Sequence, residues 1–182
     1  MDDLALARAL ASGDEDAFRT FVDQQTAPVF RICYRVLDSV DEAEDAVQET
    51  FALAYRALGT FRGDGPPGAW IARIAVRECW RRSKNRARRL AATTPLDETV
   101  AATVADSADP AREVVEAEER DEVRRAVAAL PEPYGEVIAL RYFADLSLAE
   151  IAAATGKPEA TVKTQFYRGL ERLRTEMREE AP

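Results

Sequence analysis

Apolar residues recur at helical spacing along most of the chain, and no run of alternating β-branched residues between turn signals marks a strand. Val29, Ile32, Cys33, Val36 and Leu37 fall at i, i+3, i+4, i+7 and i+8, and Val47, Phe51, Ala54 and Leu58 make a second stripe. Each predicts an amphipathic helix with one buried face. Residues 59–68 then hold four of the eight glycines and two of the nine prolines, so the second helix must end near Leu58 and give way to a shaped loop. From about Ala69 the helical pattern resumes, with Ile71, Ala75 and Cys79 on one face and Arg73, Arg77, Arg81, Lys84 and Arg88 on another.

Further along, Val123, Val127 and Leu130 begin a helix stopped by Pro131 and Pro133, and Val137, Ile138 and Leu140 lie on the next. Residues 148–167 fit a helix-turn-helix. Ala152 is small enough to let two helices approach, Gly156 supplies the turn, and Val162 packs the second helix onto the first. Pro158 and Glu159 suit a first helical turn. That helix is expected to bury Val162, Phe166, Leu170 and Leu173, leaving Thr161, Lys163, Thr164, Gln165, Arg168 and Arg172 available to a major groove. Residues 89–109, rich in Ala, Thr and Asp and followed by Pro110, have weak periodicity and read as a tether. The expected fold is all-α: two small helical domains, residues 1–88 and 113–182, joined by a flexible linker over 89–112.

Charge sharpens this picture. The 182-residue chain carries a formal charge of −8, yet residues 62–90 hold nine cations against two acids. A nearly one-signed block within an acidic protein points to a local polyanion contact, since the field that matters is that of the patch. Trp70 and Trp80 flank the arginine ridge, and cations beside flat rings can hold phosphates while bases stack. A solvated face would normally mix signs.

Composition excludes much else. There is no histidine, which removes Ser-His-Asp and Cys-His nucleophile pairs and His-bearing zinc sites. The two cysteines cannot complete a metal tetrahedron and fit buried packing positions better than a redox pair. No apolar run approaches the roughly 20 residues of a membrane helix. The acidic start lacks the basic n-region of a signal peptide, so the chain reads as cytoplasmic. Asp41, Glu42, Glu44, Asp45 and Glu49 form an acidic cluster at a helix start, where negative charge is favourable in itself. Without other ligand types it fits a basic protein partner better than a metal. No cofactor, small-molecule substrate or enzymatic activity is expected.

These segments together resemble a family. Asp45-Ala46-Val47-Gln48-Glu49-Thr50-Phe51 resembles the Asp-x-x-Gln-Glu-x-Phe motif of region 2 in bacterial extracytoplasmic-function (ECF) sigma factors of the sigma-70 family, and residues 11–18 resemble their opening segment. Phe61-Arg62-Gly63, then Trp70-Ile71-Ala72-Arg73-Ile74-Ala75 and the arginine run, are similar to the rest of region 2. Residues 130–142 and the helix-turn-helix are similar to region 4. The resemblance implies a transcription initiation factor. It assigns Asp45, Gln48 and Glu49 to the clamp helices of the RNA polymerase largest subunit. Minus-ten DNA falls to Phe61, Arg62, Trp70, Arg73, Arg77, Trp80 and Arg81, with residues 61–68 as the recognition loop. The minus-thirty-five element falls to Thr161, Lys163, Thr164, Gln165 and Arg168, and the polymerase flap to the first helices of region 4. An anti-sigma protein is the implied regulator. The sequence departs from the family at Thr164-Gln165, where Ser-Arg or Thr-Arg usually follows the lysine.

Two other readings use the same residues. A conventional helix-turn-helix regulator would need only the Ala152, Gly156 and Val162 pattern, binding duplex DNA by itself, usually as a dimer. A metal-dependent nuclease or transferase would have to rest on the acids between Asp41 and Glu49.

Overall fold

A computed structural model describes residues 3–61, 63, 65–92 and 110–179. Local signals set the helix boundaries. Helix α1 spans Asp3–Ala11, and Asp14 then caps α2, Glu15–Leu37, by accepting hydrogen bonds from the backbone N–H groups of Asp16 and Ala17. Asp38 closes α2 in a left-handed conformation, and Ser39 immediately caps α3, Val40–Ala57. One 3-10 turn, Leu58–Thr60, leads into the Gly/Pro loop, and Pro67 opens α4, Pro67–Ala92, at the position where a missing N–H costs nothing. Helix α4 therefore runs four residues past the expected boundary at 88, since Arg and Ala are strong helix formers. Helix α5, Pro110–Ala129, starts three residues before the expected 113, and the rest of the expected linker, 93–109, lies outside the described residues.

Helices α2, α3 and α4 pack together, and α1 closes one end through Leu6 and Leu10. The α2 stripe is as read from the sequence, with Val29, Ile32, Cys33, Val36 and Leu37 all buried. On α3 the most buried line is instead Ala43, Ala46, Thr50 and Ala54, while Val47 and Phe51 are half-buried. Helix α3 packs on both α2 and α4, and close approach of helices rewards small side chains.

The second half is built around α6, Tyr134–Tyr142, which contacts α4, α5, α7 and α8 and has residues 135–140 all buried. Helix α7, Leu148–Thr155, carries a capping box in which Ser147 and Glu150 satisfy each other's backbone N–H groups. Gly156 ends it at φ 69°, a left-handed turn that a side chain would strain, and α8, Glu159–Glu179, follows. Val162 and Leu173 are buried and Phe166 and Leu170 pack against the same core, as the spacing predicts. No strand occurs among the described residues.

Candidate nucleic-acid interface

On α4, Arg77, Arg81, Lys84 and Arg88 are exposed and Arg73 is half-buried, so the predicted ridge exists as one face. The other cations of this helix do different work. Arg82 donates to the backbone carbonyl of Asp45 at 3.2 Å, and Arg86 lies 3.5 Å from Glu42, tying α4 to the acidic end of α3. Glu78, buried on α4, accepts from Arg81 at 2.7 and 2.8 Å and from Arg82 at 2.7 Å. Burial pushes its carboxyl upward, but the hydrogen bonds and charges of these two arginines outweigh burial and leave it below the ordinary value. The same contact raises the already high Arg81 value.

The aromatic residues of the first half point elsewhere than expected. Phe61 is buried, its ring centroid 4.9 Å from that of half-buried Trp70, which in turn lies 6.3 Å from Phe21. Trp80 is also buried, and a Cβ added at Gly135 of α6 would stand 2.9 Å from its ring. Neither Phe61 nor Trp80 is exposed in this conformation: Phe61 packs on Trp70, and Trp80, on the same side of α4 as Arg73, Arg77 and Lys84, is covered by α6. Arg62 lies outside the described residues.

On α3, Asp45 and Gln48 are exposed, and Glu49 is half-buried and paired with Arg56 at 2.8 Å. The three lie at i, i+3 and i+4 and so share one face. On α8, Thr161, Lys163, Thr164 and Arg168 are exposed, and Gln165 accepts a hydrogen bond from Lys157 at 3.3 Å. A shallow depression of about 390 Å³ runs along this face, lined by Pro133, Tyr134, Thr161, Thr164, Gln165 and Arg168 among others. Arg172, expected to be free for DNA, stacks over the Tyr134 ring at 4.9 Å.

Sequence reasoning missed Glu136. This residue of α6 is buried, yet Arg73 donates to it at 2.9 Å, and Arg77 and Lys157 stand 3.6 Å from its carboxylate. Its only signal in the sequence is a lone acid inside the run Gly135-Glu136-Val137-Ile138-Ala139-Leu140.

Against known proteins, the family model described as Sigma-70 region 2 matches residues 21–89, and that described as Sigma-70, region 4 matches residues 120–173. The chain is 35% identical over 181 residues to the ECF RNA polymerase sigma factor SigW of Bacillus subtilis, covering 94% of this chain and 95% of that protein. It is 33% identical to the RNA polymerase sigma-H factor of Pseudomonas aeruginosa, covering 94% and 91%. In fold it is similar to CnrH, solved in complex with the cytosolic domain of CnrY, with a TM-score of 0.58 at 23% identity over 98% of this chain and 99% of that one. It is similar also to the sigma factor RpoE of Bartonella quintana, solved with the anti-sigma factor NepR, with a TM-score of 0.52 at 18% identity over 90% and 98%. A stand-alone helix-turn-helix regulator accounts for the second half only, whereas these matches run through both. The chain belongs to the ECF sigma factors of the sigma-70 family, which serve RNA polymerase in transcription initiation.

Proposed function

We propose that three surfaces divide the work of initiation. The α3 face of Asp45, Gln48 and Glu49 docks on basic residues of the polymerase clamp helices, and the first helices of the second half meet the flap. Loop 61–68 and the α4 ridge take the minus-ten element, with Arg73, Arg77 and Arg81 on phosphates and Arg62 and Trp70 beside the unstacked strand, where Phe61 and Trp80, buried in the free chain, join them only on opening. Holding a separated strand favours melting, because the protein then binds the open state better than the closed one. Helix α8 reads the minus-thirty-five element through Thr161, Lys163, Thr164, Gln165 and Arg168. Gln165 in place of the family's usual arginine suits adenine, to which a glutamine amide bonds bidentately.

The length of chain joining the two halves sets the effective concentration of one DNA contact once the other is made. The factor catalyses no reaction itself, needs no cofactor, and works where polymerase is, in the cytoplasm. By analogy with RpoE and NepR, an anti-sigma protein is its regulator.

The observation that carries this reading is the placement of two cationic or polar DNA-suited faces, on α4 and α8, with an acidic face on α3 that DNA would repel. Run-off transcription with purified core polymerase across a promoter library tests it. Transcripts that depend on the protein and share an upstream motif are expected. Failure to bind core polymerase, together with a specific shift of duplex DNA by the protein alone, would overturn it.

A further inference from the structure

Three of the residues proposed to hold minus-ten DNA, Arg73, Arg77 and Trp80, are occupied by the protein's own second half. Arg73 is engaged twice: its Nε donates to Glu136 at 2.9 Å and its Nη1 to the carbonyl of Ala154, at the end of α7, at 3.1 Å. Arg77 faces the same carboxylate from the next turn of α4, and Lys157, in the turn of the helix-turn-helix, faces it from the other side, each at 3.6 Å. Trp80 is covered by Gly135, and a Cβ on Gly65 of the loop would meet the Ala153 side chain at 2.7 Å. A second contact holds the same closure from a distance. Arg35 of α2 bonds the carbonyl of Phe143 and the carboxylate of Asp145, while Arg124 of α5 bonds the carbonyl of Arg35 and the carboxylate of Asp38.

A carboxylate and a phosphate present the same planar pair of acceptors to a guanidinium. We infer that Glu136 is an internal substitute for promoter phosphate, and that it holds the free protein in a closed state where α6 and α7 cover the DNA-binding face of α4. This rests on the assignment of that face to DNA above. A closure of this kind suits a switch. Apolar packing such as Trp80 under Gly135 joins the halves as well, and the ionic part is the part a polyanion can compete for directly, at Arg73 and Arg77, since a buried pair of charges adds little net stability compared with apolar packing. The affinity of the free chain for DNA is then reduced by the fraction of molecules that are open.

The test measures binding of the full chain to a fluorescein-labelled single-stranded 20-mer of random sequence, alongside its radius of gyration by small-angle scattering. Glu136→Gln keeps the shape and removes the charge, and it should bind at least tenfold more tightly and expand. Asp23→Asn, which removes the same charge from an exposed site on α2, should change neither. The double variant Arg35→Ala/Asp145→Ala is neutral in net charge and touches no proposed DNA contact. It should bind several-fold more tightly, and it decides the matter if Glu136→Gln fails to fold. Wild-type affinity in the Arg35/Asp145 variant, while Arg81→Ala/Lys84→Ala weakens binding, overturns the closed-state inference and leaves the DNA assignment standing. If Arg81→Ala/Lys84→Ala also binds as wild type, both fall.

Discussion

Thr50 stands on the buried line of α3 with no exposure, and its hydroxyl has no hydrogen-bond partner among the described residues. An unsatisfied buried hydroxyl costs about 1–3 kcal/mol, and valine has the same shape without it. Thr50→Val should therefore raise the melting temperature by roughly 2–4 °C per kcal/mol gained, followed by far-ultraviolet circular dichroism. A lower temperature would mean that the hydroxyl finds a partner in solution. Cys33 and Cys79 present the opposite situation, two buried polar groups that serve each other. The hydrogen bond with Cys33, and then burial, push the Cys79 thiol far above the ordinary cysteine range. Both thiols are buried, so native protein at pH 8 should label with a disulfide reagent at least a hundredfold more slowly than denatured protein. Rapid labelling without unfolding would mark an accessible, redox-competent pair.

Helices whose buried face carries large apolar residues were legible in the sequence, and the one whose buried face is built of small residues was not. The α2 stripe and the buried side of α8 follow from 3.6-residue periodicity, because large apolar side chains mark their contact faces even where each meets several helices. Helix α3 packs on both α2 and α4, so alanines carry its tightest contacts and a reading weighted toward large apolar residues misplaces the face. The candidate site divides in the same way. Exposed positions such as Lys163 and Arg81 follow from helical geometry alone, whereas the roles of Arg82, Arg86 and Glu136 depend on partners 37, 44 and 63 positions away. Capping is the most local signal, and the Ser147–Glu150 box can be tested as an element. Glu150 accepts from the hydroxyl and backbone N–H of Ser147 at 2.6 and 2.8 Å, and these bonds, partly offset by burial, hold its carboxyl below the usual 4.5. A lowered folded value stabilises the fold above the unfolded value, and that stability is lost as pH falls through the folded value. Ser147→Ala should cost about 1 kcal/mol near neutrality, with the difference from wild type shrinking below pH 4.5. A cost independent of pH would assign the effect to the hydroxyl cap alone.

Across the whole molecule the distribution of charge matters more than its sum. A chain at −8 is repelled by DNA at long range, and its cationic face on α4 is partly neutralised from within by Glu136 and Glu78. On the proposed assignment of α3 to the polymerase, useful DNA affinity comes from the complex, which brings both halves to the promoter together. This makes the α3 face separable from the DNA-binding faces. In Asp45→Ala/Gln48→Ala/Glu49→Ala the substituted side chains lie on the exposed or half-exposed side of α3, and alanine favours a helix, so the melting temperature should stay within a few degrees of wild type. The ion pair lost with Glu49 is partly exposed, and such pairs contribute about 0–1 kcal/mol. Affinity for core polymerase should fall at least tenfold, with run-off transcription falling in parallel, while binding of the free chain to the random 20-mer holds or rises because two negative charges are gone. A variant that keeps its polymerase affinity would move the docking surface off α3. One that loses polymerase and DNA together would show that α3 supports the fold of the first half instead of a separate interface.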